Sequence, residues 1–505
     1  MGAQNSKGPG EASGSDKASS STGASQQPPD KKSSSTTDVK AIQNAAKGMI
    51  RSASGADINE KTLTQLVPIE RLAQILRNKS NAQHGVNGVT VDVFVNEVFP
   101  QFPDLGRRLF NFLHMNSRAQ TQYLGTIAFR QQCERFLGIM NDTTILENYV
   151  RIFAEEDRPD AITRQGVMNL LNTCFRVAMS HYPGNVKICN MMDRTFSAVI
   201  NSIFFTQDLL SVGYVCRWFE QNCIRLIIIV HKFCVHTLST AYRGLEQGFE
   251  QSFGLELATP VLEQTSPFPD RSNDEGLMPL SQAWLLAGAL PTMYSKPQAI
   301  PTSGGNSSNS AQFLKDKMSL IPSHWTLIYD SNQHGVGANR FLHHVLGYRG
   351  PTLVLLHTKD DQTYCIASPS EWKETHLYIG GEESRVIQLL PKFVILEKGA
   401  KILYLNTSIR GYPKGLRAGS DPRKPVLSVD ENFEKIDCKG IRADLLSIEV
   451  WGCGDKTSRE VQLDIKKWQI KEAERQRTVK LTAADWMDHP DRYLLELGGR
   501  PNYNN

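Results

Sequence analysis

Asp330, Ser331 and His334 place the three residue types of a hydrolytic triad within five consecutive positions. A triad needs the nucleophile within hydrogen-bond reach of the base, and the base oriented by the acid. Adjacent Asp and Ser side chains in a short turn point apart. Asp330-Ser331-x-x-His334-Gly335 therefore reads as a hydrogen-bonded turn, with Gly335 and Gly337 at positive φ. No G-x-S-x-G nucleophile elbow is present, and Gly415-Leu416-Arg417-Ala418-Gly419 lacks the spacing of a phosphate loop. Nine cysteines at 133, 174, 189, 216, 223, 234, 365, 438 and 453 form no Cys-x-x-Cys pair, so neither a zinc site nor a disulfide framework is indicated. Reduced, mostly buried thiols in a cytosolic setting fit that pattern. His231 and His236 are too isolated to argue for a metal. The expectation is a protein with no enzymatic activity, no metal and no cofactor. The competing reading is redox chemistry at Cys365, Cys438 or Cys453.

A different chemistry is written at the start of the chain. Met1-Gly2-Ala3-Gln4-Asn5-Ser6 fits the M-G-x-x-x-[ST] template for N-myristoylation, with Gly2 as the acylated residue. No apolar region follows it, so the segment is not a secretory signal. One myristoyl chain binds membranes with an association constant on the order of 10⁴ M⁻¹, and a second signal is usually needed. Lys7, Lys17, Lys31, Lys32 and Lys40 give only a dilute basic supplement, and no cysteine precedes Cys133 for palmitoylation. Reversible attachment to a cytoplasmic membrane face, plasma membrane or lysosome, is expected, with a cytoplasmic pool and reinforcement by a protein partner. Net charge of +4, from 56 basic and 52 acidic residues, gives no reason to expect nucleic acid.

The elements that carry these groups fall into five segments. Residues 1–40, rich in Gly, Ser, Lys and Pro, cannot bury enough surface to offset ordering and form a tether. Residues 41–254 read as an α-helical domain: Ile69, Leu72, Ile75 and Leu76 recur at helical spacing, Thr126 and Thr163 stand at helix starts, and Phe129, Cys133 and Phe136 follow the first of these. Its helix pairs suggest an EF-hand-like shape without calcium. The segment Glu155–Asp160 opens on Glu, is interrupted by Pro159 and has no terminal Glu at the required offset. Asn78–Val89 has no carboxylate. The apolar stretch Val212–Leu238 contains Arg217, Glu220, Arg225, His231 and Lys232, which argues for a buried helix over a membrane span. Residues 255–317 form a Pro-rich connector with one helix at 280–290.

From residue 318 to 454 the pattern switches to short β-branched and aromatic segments punctuated by turns. These are Trp325–Tyr329, Thr352–His357, Thr363–Ala367, Val386–Leu390, Phe393–Leu396, Lys401–Leu405 and Leu445–Trp451, with one helical insertion at Ala338–Tyr348. This predicts an antiparallel two-sheet sandwich. Asp330-Ser331-x-x-His334-Gly335, Gly350-Pro351-Thr352-Leu353, Trp372, Tyr404-Leu405-Asn406 and Glu449-x-Trp451-Gly452-x-Gly454 occur in order. Together they make the segment resemble a TLDc domain. The resemblance implies a partner-binding sandwich without catalytic machinery, in several members bound to the vacuolar proton-pumping ATPase or linked to protection against oxidative stress.

The last segment, 455–505, contains a charged helix over Leu463–Arg477 that carries Ile465, Trp468 and Ile470. Two readings fit it: a solvated helix closing the domain, or a partner helix anchored by those three side chains in a groove. The overall fold class is α+β, with a helical domain, the sandwich and this helix. The domain order is similar to the myristoylated branch of the TLDc family, which includes an mTOR-associated lysosomal protein of mammals and a nematode relative in insulin-like signalling. The resemblance implies a non-enzymatic membrane-anchored regulator of growth, stress resistance or lifespan, with mTOR, Akt or FoxO pathway components or vacuolar ATPase subunits as partners.

Overall fold

The computed structural model describes residues 68–155, 157–180, 191–247, 278–295, 320 and 324–477. Gly2, the tether and Cys189 lie outside the described residues. Amphipathic periodicity becomes a run of helices: α1 (Pro68–His84), α2 (Val91–Val98), α3 (Pro103–Ser117), α4 (Thr126–Leu137) and α5 (Asp142–Ile152). Strand β1 (Ala161–Thr163), α6 (Arg164–Met179), α7 (Met192–Phe204), β2 (Leu209–Ser211), α8 (Val212–Asn222) and α9 (Arg225–Gln247) follow. The apolar stripes point inward, with Leu72, Leu76, Phe129 and Cys133 fully buried. Thr163 caps α6 by accepting from the Gly166 N–H at 3.2 Å, whereas Thr126 is the first residue of α4 and Gly125 holds the cap position.

The helices are arranged as two pairs of pairs. β1 and β2 run antiparallel, with Ile162 opposite Leu210, and couple α5–α6 to α7–α8. Val89 and Leu124 exchange backbone hydrogen bonds of 2.7 and 3.0 Å and couple α1–α2 to α3–α4 in the same way. Helix α9 packs against α1, α5 and α6 across both groups. The stretch predicted as one buried helix is two, α8 and α9, bent by 102° at Cys223 and Ile224. No Gly or Pro announces the break. The bend lets Arg225 donate to the carbonyls of Ala287 and Leu290 and, at 3.0 Å, to Ser295 Oγ, at the end of helix α10 (Leu280–Ala289) and in α11 (Thr292–Ser295). Among the described residues no single helix is long and apolar enough to cross a membrane.

α10 is buried from Leu280 to Gly288. Its Trp284 stacks edge-on with Phe175 and Phe196, and its Ser281 hydroxyl lies 2.9 Å from that of Thr195. A helix apolar all round must be covered all round. It packs against α7 and α9, and its side chains share one core with Leu353, Leu355, Cys365 and Ile387 of the sheet.

That sheet contains β3 (Thr326–Asp330), β4 (Thr352–Thr358), β5 (Thr363–Ser368), β6 (Arg385–Leu390), β7 (Val394–Lys398), β8 (Leu403–Asn406), β9 (Gly415–Ala418), β10 (Leu427–Val429), β11 (Lys435–Cys438) and β12 (Ile441–Gly452). Two short helices, α12 (Ser331–His334) and α13 (Ala338–Val345), intervene after β3. All pairings are antiparallel, in the order β7-β6-β5-β4-β12-β11-β10-β9-β8, with β3 on the other side of β12. The long β12 serves both halves of the sandwich: Ile441–Asp444 pair with β11, and Leu445–Gly452 with β4, across a register shift between Leu445 and Ser447. One core, with Tyr329, Phe341, Val354, Ile366, Leu405 and Leu416, lies between the halves. The opposite face of β4–β6, with Leu353, Leu355, Cys365 and Ile387, joins the core of the helices. Strands covered on both faces read as unbroken apolar runs, which is the pattern of β4 and β5.

Candidate partner-docking site

The Asp330 turn is built as a scaffold. The Asp330 carboxylate accepts from the Asn332 N–H at 2.9 Å, and the Asp330 N–H donates to His334 Nδ1 at 3.1 Å. Ser331 is buried, and its Oγ accepts from the Ile448 N–H at 2.9 Å, tying the turn to β12. The Tyr329 hydroxyl donates to the Gly335 carbonyl, and Arg340 to that of His334, both at 2.8 Å. Gly335 and Gly337 sit at φ 82° and 136°. Asp330, Ser331, His334 and Gly335 are thus brought together, with Asp330 Oδ1, Ser331 Oγ and His334 Nδ1 each accepting from a backbone N–H and no hydrogen bond linking the three side chains.

This scaffold carries α13, and α13 seats the C-terminal helix α14 (Lys456–Arg477). The His334 and His344 rings lie 4.0 Å apart. Burial, then the charge of His334, Lys466, His343 and Arg459, lowers His344 to about 4. Among the described residues no group of three or more His, Cys, Asp or Glu side chains is placed to hold a metal.

α14 begins where Asp455 accepts from the Ser458 N–H at 3.0 Å and from the hydroxyls of Ser458 and Thr457. Those bonds, that of the Ser458 hydroxyl first, hold the Asp455 carboxyl below its usual range. One turn on, Gln462 is fully buried. Its Nε2 donates to the carbonyls of His344, Leu346 and Val345 at 2.9, 3.1 and 3.4 Å, capping the last turn of α13. Lys466 adds a bond to the His344 carbonyl at 3.2 Å, and desolvation lowers its ammonium to about 8.

Past Lys466 the large apolar side chains of the helix are exposed. Trp468 is 65% exposed and Ile470 55%. Ile465 is partly buried and lies three residues from Trp468 on the same face. Ile470, two residues past Trp468, lies on the far side of the helix, next to the row that carries Gln462 and Lys466. Ile465 and Trp468 therefore share one face of α14, and Ile470 lies on another.

Sequence reasoning did not single out Gln462, because a lone polar residue in a charged helix carries no periodic signal. It named Glu449 only as a motif residue. Glu449 is fully buried; its Oε2 accepts from Trp451 Nε1 and the Met278 N–H, each at 2.9 Å, and its Oε1 is 3.3 Å from His357 Nε2. It ties the segment before α10 to β12 and β4.

Compared with known families, residues 308–454 match the model of the TLDc domain. This segment is a TLDc domain. The chain is 22% identical over 360 residues to the restriction of telomere capping protein 5 of Neurospora crassa, a match covering 53% of this chain and 59% of that protein. It is 39% identical over 74 residues to the protein of the same name in Colletotrichum graminicola, covering 15% of this chain and 11% of that one. The chain thus spans less than two thirds of the length of either relative. Both matches are of low coverage or low identity, and the Asp330 turn and β12 lie within the TLDc segment.

Proposed function

We propose that this chain is a non-enzymatic, membrane-anchored signalling regulator whose TLDc domain and α14 dock a protein partner. The observation that carries the reading is α14 itself: a helix fixed at its base by the buried Gln462, with Trp468 left 65% exposed beyond it. A tryptophan held in solvent on a rigid base suits a helix that enters a groove of another protein, where aromatic anchors dominate binding. By the family resemblance, the partners are subunits of the vacuolar proton-pumping ATPase or components of the mTOR and Akt pathways, in nutrient or insulin-like signalling. Gly2 supplies the anchor, through the Met1–Ser6 template.

Burial argues against the redox alternative. It pushes the Cys365, Cys438 and Cys453 thiols up, away from the thiolate that peroxide chemistry requires. The helical pairs are read here as EF-hand-like and independent of calcium. Arg164 reaches into the loop between α7 and β2, donating to the Phe205 carbonyl at 2.7 Å, the Gln207 carbonyl and Asp208 Oδ1 at 3.1 Å, and Asn201 Oδ1 at 3.4 Å. A guanidinium that gathers these oxygens performs the task a bound cation would.

Affinity purification from membranes with the full chain and with a chain lacking residues 463–505 tests the proposal. Loss of proton-pump or kinase-complex subunits from the shorter bait is the expected result; an unchanged set of subunits contradicts the docking role.

A further inference from the structure

The basic groups around the base of α14 are linked to one another and to no carboxylate. The His344 ring centre lies 4.0 Å from that of His334 and 5.1 Å from that of His343. Arg340 donates to the His334 carbonyl at 2.8 Å, Lys466 to the His344 carbonyl at 3.2 Å, and Arg459 to Oε1 of the Gln462 that caps α13. Three cationic side chains and three imidazoles, carried by α12, α13 and α14, thus form one cluster.

The sequence supplies no counter-charge from within. α12 and α13 contain no acidic residue. Asp330, just before α12, is buried with Oδ1 on the Asn332 N–H, and Asp455 is taken up by Ser458 and Thr457. Glu460 and Asp464 project from α14 about 100° or more away from Arg459, Gln462 and Lys466, and Asp464 pairs with Lys467. Among the described residues Arg340, Arg459 and Lys466 form no ion pair. The groups whose charge acts on His344 are accordingly all basic: His334, Lys466, His343 and Arg459.

This cluster is open to solvent and has apolar neighbours. Arg340 and His343 are exposed, and His334, His344, Arg459 and Lys466 are half-buried. Val336, 51% exposed, stands in the turn between Gly335 and Gly337. A Cβ at Gly335 would lie 3.1 Å from Arg340 Cδ, so the stem of Arg340 runs along that turn. Ile470, also exposed, is one turn beyond Lys466 on α14. Cations that attract anionic headgroups, beside apolar side chains that enter the headgroup layer, are the two parts of a peripheral membrane surface. A single acyl chain at Gly2 calls for such a second attraction. We propose that the face formed by Val336, Arg340, His343, Lys466 and Ile470 docks on an anionic phospholipid surface. The proposal extends the membrane-anchored reading but stands without acylation. Trp468 projects about 160° round α14 from Lys466 and stays free for a protein partner.

Sedimentation of unacylated full-length protein with vesicles tests it, using phosphatidylcholine alone and phosphatidylcholine with about one-third phosphatidylserine. Binding to the second set only, weakening as salt is raised, is the expected result. Arg340→Gln should weaken it about fivefold and Val336→Glu at least about tenfold. Lys398→Gln, on the edge strand β7, should leave it unchanged. No binding, equal binding to both vesicle sets, or full binding by both Arg340→Gln and Val336→Glu overturns the proposal, as does an equal loss in Lys398→Gln. Binding of polyglutamate without binding of vesicles assigns the face to an acidic protein, and displacement from vesicles by inorganic phosphate at matched ionic strength assigns it to free phosphate; either overturns the membrane assignment. Because the Val336 side chain is exposed, Val336→Glu still decides if Arg340→Gln disturbs the turn. Failure here leaves the Gly2 anchor standing, since fractionation of the acylated chain reads that anchor separately.

Discussion

Truncating Gln462 to alanine should free the base of α14 while leaving the sandwich intact. Gln462 Nε2 makes two well-formed bonds, at 2.9 and 3.1 Å, and a longer one at 3.4 Å to carbonyls that end α13. Each good bond contributes about 1 kcal/mol net, so Gln462→Ala removes about 2 kcal/mol from the seat. Lys466 retains its bond to the His344 carbonyl, so the helix loosens without being lost from the surface. About 2 kcal/mol is roughly a 30-fold shift in the opening equilibrium. Hydrogen exchange followed by mass spectrometry reads it directly: amides of Thr457–Lys467 should exchange about 30-fold faster, and those of β4 and β5 at the wild-type rate. Unchanged exchange in α14 would refute the claim that Gln462 is the seat. Equal acceleration in β4 and β5 would show that Gln462 supports the whole domain.

Gly2→Ala should move the protein from the membrane to the soluble fraction on cell fractionation; an unchanged membrane fraction sinks the lipid anchor. Cys365→Ser, which buries a hydroxyl in an apolar site, should cost about 1–3 kcal/mol in urea denaturation, while peroxide consumption by the purified protein stays at background for both forms. His231 packs between Phe136 and Tyr149, and burial lowers it from 6.5 to about 4. Because the unfolded chain takes up this proton first, stability is complete above about 6.5, falls as the pH drops and levels off below about 4, a loss on the order of 3 kcal/mol. Urea midpoints at pH 7, 5.5 and 4.5 should therefore fall less steeply for His231→Phe than for wild type, and equal slopes would contradict the assignment.

Much of this architecture is legible in the residues, and the exceptions have physical reasons. β4 and β5 stand out because both faces are buried and the apolar run is unbroken. β9, β10 and β11 went unpredicted: each has only three or four residues, and Arg417, Lys435 and Asp437 interrupt the apolar pattern. The bend between α8 and α9 has no local breaker; what accompanies it is a contact with distant residues, Arg225 donating to carbonyls at the end of α10. In α14, Trp468 stands out as an unusual residue in a charged helix. Gln462 does not, because what distinguishes it is which partners surround it, and that depends on contacts between residues far apart in the chain.

Partner capture by a single-residue variant of α14 bears most directly on the docking claim. Trp468 is 65% exposed, so Trp468→Ala should change stability by less than about 0.5 kcal/mol. The account predicts that full-length Trp468→Ala, with a wild-type melting temperature, recovers at least tenfold less of its proton-pump or kinase-complex partner from membranes than wild type does, as expected for an aromatic anchor worth roughly 2 kcal/mol. Recovery equal to wild type from an equally folded variant would contradict it.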